Sequence, residues 1–302
     1  MTPPLPRSTV ALSRRSLLLG AAGLAGAGSL LAACGGGDDD SASTSTGGQS
    51  AGGDGFVINP RFPNSMVLTP GNVRLAFSIS DEQGALLLDG PATISGDLVD
   101  QDRTVLAPIQ ATRHGTGLSV PYWSVMADIA TPGIYGLRLD GAAGDAQAFL
   151  LVDPSEAMIP VPSQPLPPFD TPTVDDARGV DPICTRTDGT CPFHEITLTE
   201  ALALGKPVVY MVGTPAHCQF ATCGPGLEFL IDVAKSHPDV TFVHAEVYSD
   251  PEGTTVAPAV DAIGLDYEPV MWVTDAGGVV QRRIDIVWDE SDLVTLLKSA
   301  LG

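Results

Sequence analysis

Two cysteines, Cys218 and Cys223, are separated by four residues in the run Thr214-Pro-Ala-His217-Cys218-Gln-Phe-Ala-Thr-Cys223-Gly-Pro-Gly226. An apolar segment with the composition of a buried strand, 207–212, runs into this stretch, and an amphipathic helical pattern, roughly 227–235, leaves it. The cysteines therefore sit in a strand-to-helix turn. Unpaired backbone N–H groups and the helix dipole stabilise negative charge there, which favours the thiolate, the form of cysteine that attacks disulfides and binds metals. Spacing limits how the pair can act. At i and i+5 of a regular helix the Cα atoms lie about 8.6 Å apart, beyond the reach of a disulfide. Pairing requires most of residues 219–222 to be irregular or the helix start to unwind, and Gly224-Pro225-Gly226 favours the first, with a long helix that begins only after Cys223.

Elements that must position this turn follow in order. Thr199-Glu200-Ala201-Leu202, with Gly205, has the signature of a short capped helix, and Lys206-Pro207 opens the first strand. A second strand covers 240–248, a short helix 259–263 stops at Gly264, and Glu268-Pro269 enters a third strand at 270–274. Asp275-Ala276-Gly277-Gly278 turns the chain into a hairpin strand at 279–286. Asp289 to Asp292 cap a last helix with Leu293, Leu296, Leu297 and Leu301 on one face.

Upstream, 56–152 reads as all-β. Val73, Leu75, Phe77 and Ile79 alternate with Arg74, Ala76, Ser78 and Ser80, the period of a strand with one buried face. Further strands are expected at 91–99, 123–129, 134–139 and 146–152, divided by turn dipeptides, a spacing that suggests a β-sandwich. Pro132-Gly133-Ile134-Tyr135-Gly136-Leu137 resembles the turn-into-strand segment of bacterial immunoglobulin-like domains. His114 is the one histidine of this region, no cysteine accompanies it, and Tyr122, Trp123 and Tyr135 are expected in the core. Residues 153–181 are rich in proline and read as an extended, semi-stiff connection along a surface or between units.

The first 55 residues concern export. Ser13-Arg14-Arg15-Ser16-Leu17-Leu18 resembles the twin-arginine export motif, and Leu31-Ala32-Ala33-Cys34 resembles a lipobox, in which Cys34 becomes an acylated N-terminus. Residues 35–55 are Gly, Asp, Ser and Thr with almost nothing to bury, hence a flexible linker. The expectation is a lipoprotein held by Cys34 at the outer face of the cell membrane. The chain of 302 residues carries a formal charge of −21, which repels a phosphate backbone and argues against a nucleic-acid partner.

In an exported protein, four remaining cysteines favour disulfides. Short loops close most readily, so Cys184 would pair with Cys191 across the Asp188-Gly189 turn, and Cys218 with Cys223. The first pair reads as a structural clip, with a metal site using His194 or a second redox pair as the alternatives.

From about Ile196 to Gly302 the chain resembles the thioredoxin-like fold: a strand delivers a cysteine to a helix start, an X-Pro precedes the third strand, and a tight hairpin leads to the closing helix. The resemblance implies that Pro269 is cis and lies against the active cysteine, and that the chain is an α/β thioredoxin-like domain (182–302) behind an all-β, immunoglobulin-like sandwich. It departs from thioredoxins in the four-residue spacing and in Pro215-Ala216-His217 where a Trp would precede the first cysteine. That spacing also resembles one class of peroxiredoxin, but Pro215 and Met211 stand where that class has Thr and Pro.

The expected activity is thiol-disulfide exchange, with Cys218 attacking, His217 assisting, Cys223 resolving and Pro269 shaping the groove. Partners would be thiol- or disulfide-bearing exported proteins or a membrane redox protein. A non-enzymatic scaffold with two structural disulfides is the alternative. A copper or zinc site on Cys218, Cys223 and His217 or His244 fits the donor types, but His244 in mid-strand reads more simply as packed, and no metal or cofactor is assigned.

Overall fold

Apolar alternation from 71 to 80 produces β2 (Gly71–Ser80), a strand of an antiparallel sheet with β1 (Val57–Pro60), β3 (Thr93–Asp100), β4 (Val105–His114), β5 (Tyr122–Ile129), β6 (Gly133–Leu139) and β7 (Gln147–Leu151). This computed structural model describes residues 55–63 and 65–302; the arginines and Cys34 of the export and lipidation motifs lie outside them. The order is β1-β2-β5-β4-β3-β6-β7. Where two separate sheets were expected, β4 joins both halves into one: residues 105–112 pair with β3, and 112–114 pair with β5. The sheet encloses one core, in which Leu75 and Phe77 of β2 meet Val125, Leu137 and Phe149. Strand β4 was not anticipated, because Pro108 and the mixed polarity of its residues hide the period. Pro108 lies in the part of β4 that pairs only with β3, an edge-type position, where proline is tolerated more readily than in a strand paired on both sides.

The α/β part contains α1 (Leu198–Ala203), β8 (Val208–Val212), α2 (Cys223–Ala234), β9 (Thr241–Ala245), α3 (Pro258–Ile263), β10 (Val270–Thr274), β11 (Val280–Asp285) and α4 (Glu290–Leu301). Its four strands run in the order β11-β10-β8-β9, with β8 and β9 parallel and the other pairs antiparallel. All five residues of β8 are buried. Val208, Tyr210 and Val212 pack on the face that α1 and α3 cover, while Val209 and Met211 pack against Leu227 of α2 and Leu293 of α4. Each such side chain contributes about 1.5–3 kcal/mol on burial. The strand that carries the cysteine turn is thus anchored from both sides.

The cap of helix α1 lies two residues before the expected one. Thr197, not Thr199, accepts from the Glu200 N–H, and Glu200 reaches back to the Thr197 N–H, a reciprocal capping box. The proline-rich stretch is not a free spacer. Ser163 and Leu166 donate to Val280 and Gly278, Val280 donates back to Gln164, and Val161 and Leu166 are buried, so the segment runs alongside β11 and covers a sheet edge.

The all-β and α/β parts meet within one compact unit. Arg74 of β2 donates to the Val287 carbonyl at 3.0 Å and to Asp292 at 2.6 Å. Tyr122 of β5 donates to the same Asp292 and accepts from the Asp289 N–H at 2.9 Å. His114 closes the cluster 3.3 Å from Asp289, the N-cap of α4.

Candidate functional site

Strand β8 ends at Val212, and the chain turns through Gly213 and Thr214 into the cysteine segment. Residues 219–222 are irregular, with Ala221 at φ +53°, and α2 begins at Cys223. The helix thus takes in Cys223 itself, where the sequence pointed to a start just after it. Pro225 does not prevent it, because the first-turn N–H groups of a helix have no intrahelical partner to lose. The irregular loop brings Cys218 back over the helix start. The Cys223 N–H donates to Cys218 Sγ at 3.2 Å, while the Thr222 hydroxyl is occupied with the Ile286 carbonyl at 2.6 Å. The Cys218 sulfur therefore takes the place of a capping side chain.

The two thiols have opposite surroundings. Cys218 is half-buried, and its hydrogen bond with Cys223, helped by N–H groups of Cys223, Thr222 and Phe220, outweighs burial and brings its pKa down to about 5. Cys223 is fully buried, and burial, then Cys218 and Glu268, push its thiol well above the ordinary range. Its Sγ donates to Glu268 Oε2 at 2.7 Å. Burial raises the Glu268 carboxyl to about 7, against the hydrogen bond from Cys223 that would lower it. The reacting atoms of Cys218, Cys223 and Glu268 all lie within 4.8 Å of one another.

Glu268–Pro269 is a cis peptide. A Cβ built on Gly213 would lie 3.2 Å from Pro269 Cβ and 3.7 Å from Cys223 Cβ, which sets the proline beside the buried cysteine. Next to Glu268 opens a cleft of about 420 Å³ walled by Phe220, Tyr248, Val256, Val260 and Tyr267.

His217 is not part of this group. Its Nε2 meets the Pro251 carbonyl at 3.1 Å and its ring stands edge-on to Tyr248, so the expected His217–Cys218 pairing is replaced by a contact with the 248–253 loop. His244 is also elsewhere, fully buried among Cys184, Cys191 and His194. Cys184 and Cys191 are brought together, but as free cysteines rather than the expected bridge. Glu268 was missed as a functional group. Its signal was present, a carboxylate directly before the proline of the third strand, but only the fold carries it to Cys223.

No protein-family model matches the chain, and no curated protein matches it. Among solved structures it is similar to a thiol:disulfide interchange protein of the thioredoxin family from Chlorobium tepidum TLS. That match has 20% identity and a TM-score of 0.34, over 47% of this chain and 98% of that one. It is also similar to MTB dsbF, solved in its mixed oxidized and reduced forms, at 19% identity and a TM-score of 0.29, over 44% of this chain and 94% of that one.

Proposed function

We propose that the chain is a thioredoxin-like thiol-disulfide exchange protein acting through Cys218 and Cys223, held outside the cytoplasmic membrane by lipid at Cys34. The observation that carries the chemistry is the asymmetric pair: a half-exposed Cys218 accepting the Cys223 N–H, and a buried Cys223 on the Glu268 carboxylate. The strand order and the place of Pro269 beside Cys223 support the fold reading. The resemblance of Arg14-Arg15 and Leu31 to Cys34 to export and lipidation motifs supports the location.

In the reduced form, the Cys218 thiolate attacks one sulfur of a partner disulfide. That S–S bond breaks, the distal sulfur leaves as a thiolate and takes a proton from water, and a Cys218 mixed disulfide forms. Cys223 then gives its proton to Glu268 and attacks Cys218 Sγ. The Cys218–Cys223 disulfide forms, the second partner sulfur is released, and the partner has gained two electrons. The oxidised protein runs the same steps in reverse. The apolar cleft beside Glu268 offers room for the chain flanking the partner's cysteine.

The test is trapping. Cys223→Ser should accumulate a mixed disulfide with a model disulfide peptide, Cys218→Ser should form none, and the wild-type pair should titrate at about −120 to −270 mV. A potential below about −300 mV, with no trapped adduct, would assign the pair to structure instead.

A further inference from the structure

Behind the exchange site, four buried side chains converge that the proposed function does not use. Cys184 and Cys191 flank a tight loop, His194 follows it, and His244 comes from β9; their ligating atoms all lie within 4.8 Å of one another. None is more than 7% exposed. His194 Nε2 is 3.1 Å from His244 Nδ1, and His244 Nδ1 is 3.7 Å from Cys191 Sγ and 4.0 Å from Cys184 Sγ.

The outward ring nitrogens fix what the inward ones can be. His244 Nε2 meets the Gly213 carbonyl at 3.0 Å, and His194 Nδ1 meets the Pro172 carbonyl at 3.3 Å. Carbonyls only accept, so both of these nitrogens carry the proton. In neutral rings the two inward nitrogens then present lone pairs to each other, a contact that a shared cation, a metal ion or a proton, relieves. Metal-ligating histidines are held in this way, with the second N–H given to a backbone carbonyl.

We infer that Cys184, Cys191, His194 and His244 form a closed, four-ligand site for Zn²⁺. Tetrahedral zinc bonds place ligand atoms about 3.3 Å apart for two nitrogens, about 3.6 Å for nitrogen and sulfur and about 3.8 Å for two sulfurs. The three separations given above, 3.1, 3.7 and 4.0 Å, each lie within about 0.4 Å of these values, and the other pairs lie within 4.8 Å. Charge also favours the divalent ion. Two thiolates and Zn²⁺ sum to zero in a dry site, whereas Cu⁺ would leave a buried negative charge. A Cys184–Cys191 disulfide would satisfy the sulfurs but leave the facing lone pairs to a buried proton whose charge no thiolate balances.

The site has a mechanical place in the molecule. Thr185, next to Cys184, bonds Glu246 through its N–H and hydroxyl and accepts the Ala216 N–H at 3.1 Å, while His244 holds the Gly213 carbonyl. Zinc would tie the 184–191 loop to both ends of the turn that presents Cys218. It would also keep two thiols out of exchange with the Cys218/Cys223 pair.

The experiment is zinc and thiol analysis of the purified full chain, reduced, equilibrated with Zn²⁺ and freed of excess metal. One zinc per chain is expected in the wild type and in Cys218→Ser/Cys223→Ser, falling at least tenfold in His194→Ala. His194→Cys keeps four ligands and should retain zinc, which separates ligand loss from misfolding. With Co²⁺ in place of zinc, the wild type should show the intense visible bands of a tetrahedral site and thiolate charge transfer. The inference is overturned if the reduced chain holds no stoichiometric zinc, if zinc is lost from Cys218→Ser/Cys223→Ser, or if Cu⁺ binds stoichiometrically in preference to Zn²⁺.

Discussion

At the scale of single residues, reactivity is set by where each proton is held. With a pKa near 5, Cys218 is largely thiolate above pH 6, so its alkylation rate should rise with a midpoint near pH 5 and then level off. Cys223 should remain unreactive across the same range, as site-resolved mass spectrometry of the labelled protein would show. Glu268 adds a second inflection. Only its ionised form accepts the Cys223 proton, so resolution of a Cys218 mixed disulfide should accelerate as pH rises through about 7. Glu268→Gln should remove that inflection and slow the step by about 100-fold or more, measured as partner release in stopped flow. The same carboxyl links pH to stability. Its folded pKa lies above its ordinary value of 4.5, so its contribution is complete below that value and is lost as pH rises through about 7. Glu268→Gln should abolish this part of the decline.

Elements matter here through their ends. Helix α2 begins at Cys223 because the irregular loop before it lets a sulfur meet the first free N–H. Its fourth residue, Gly226, admits the Trp288 indole, which donates to the Gly226 carbonyl at 3.2 Å. A Cβ at 226 would lie 3.0 Å from that ring. Gly226→Ala should therefore lower stability by about 1–3 kcal/mol in denaturant titration, despite its better helix propensity. The end signals were only partly legible. Thr197-x-x-Glu200 obeys the capping rule, yet Thr199 satisfies a simpler reading of the same stretch. The Asp289 cap, the leucine face of α4 and the hairpin at 275–278 were plain, because each is fixed by neighbours in sequence.

At the scale of the whole molecule, the all-β part is bound to the α/β part by charge. Arg74 and Asp292 are largely buried, and Tyr122 and His114 complete the contact at the start of α4. Arg61 also lies 5.2 Å above the ring of Phe220, in the cysteine loop itself. The all-β part thus reaches the exchange site. Removing one partner of a buried ion pair strands the other, at a cost of about 3–5 kcal/mol. Calorimetry should show one cooperative transition for the wild type, and Arg74→Ala should lower it and separate the two parts into two.

The amino-acid order alone determined the strand-to-helix cysteine turn, the need for an irregular loop between Cys218 and Cys223, and the succession of elements from Leu198 to Leu301. These rest on periodicity, caps and turns, which act over a few residues. Tertiary structure decided the rest. It turned His217 away to Pro251, carried Glu268 to Cys223 across 45 positions, and gathered His244 with Cys184, Cys191 and His194. It also laid the proline-rich segment along β11 and joined the β-strands through β4. The physical reason is common to all of them. A thiol, carboxyl or imidazole takes its chemistry from the groups that exclude water around it, and those groups come from strands distant in sequence.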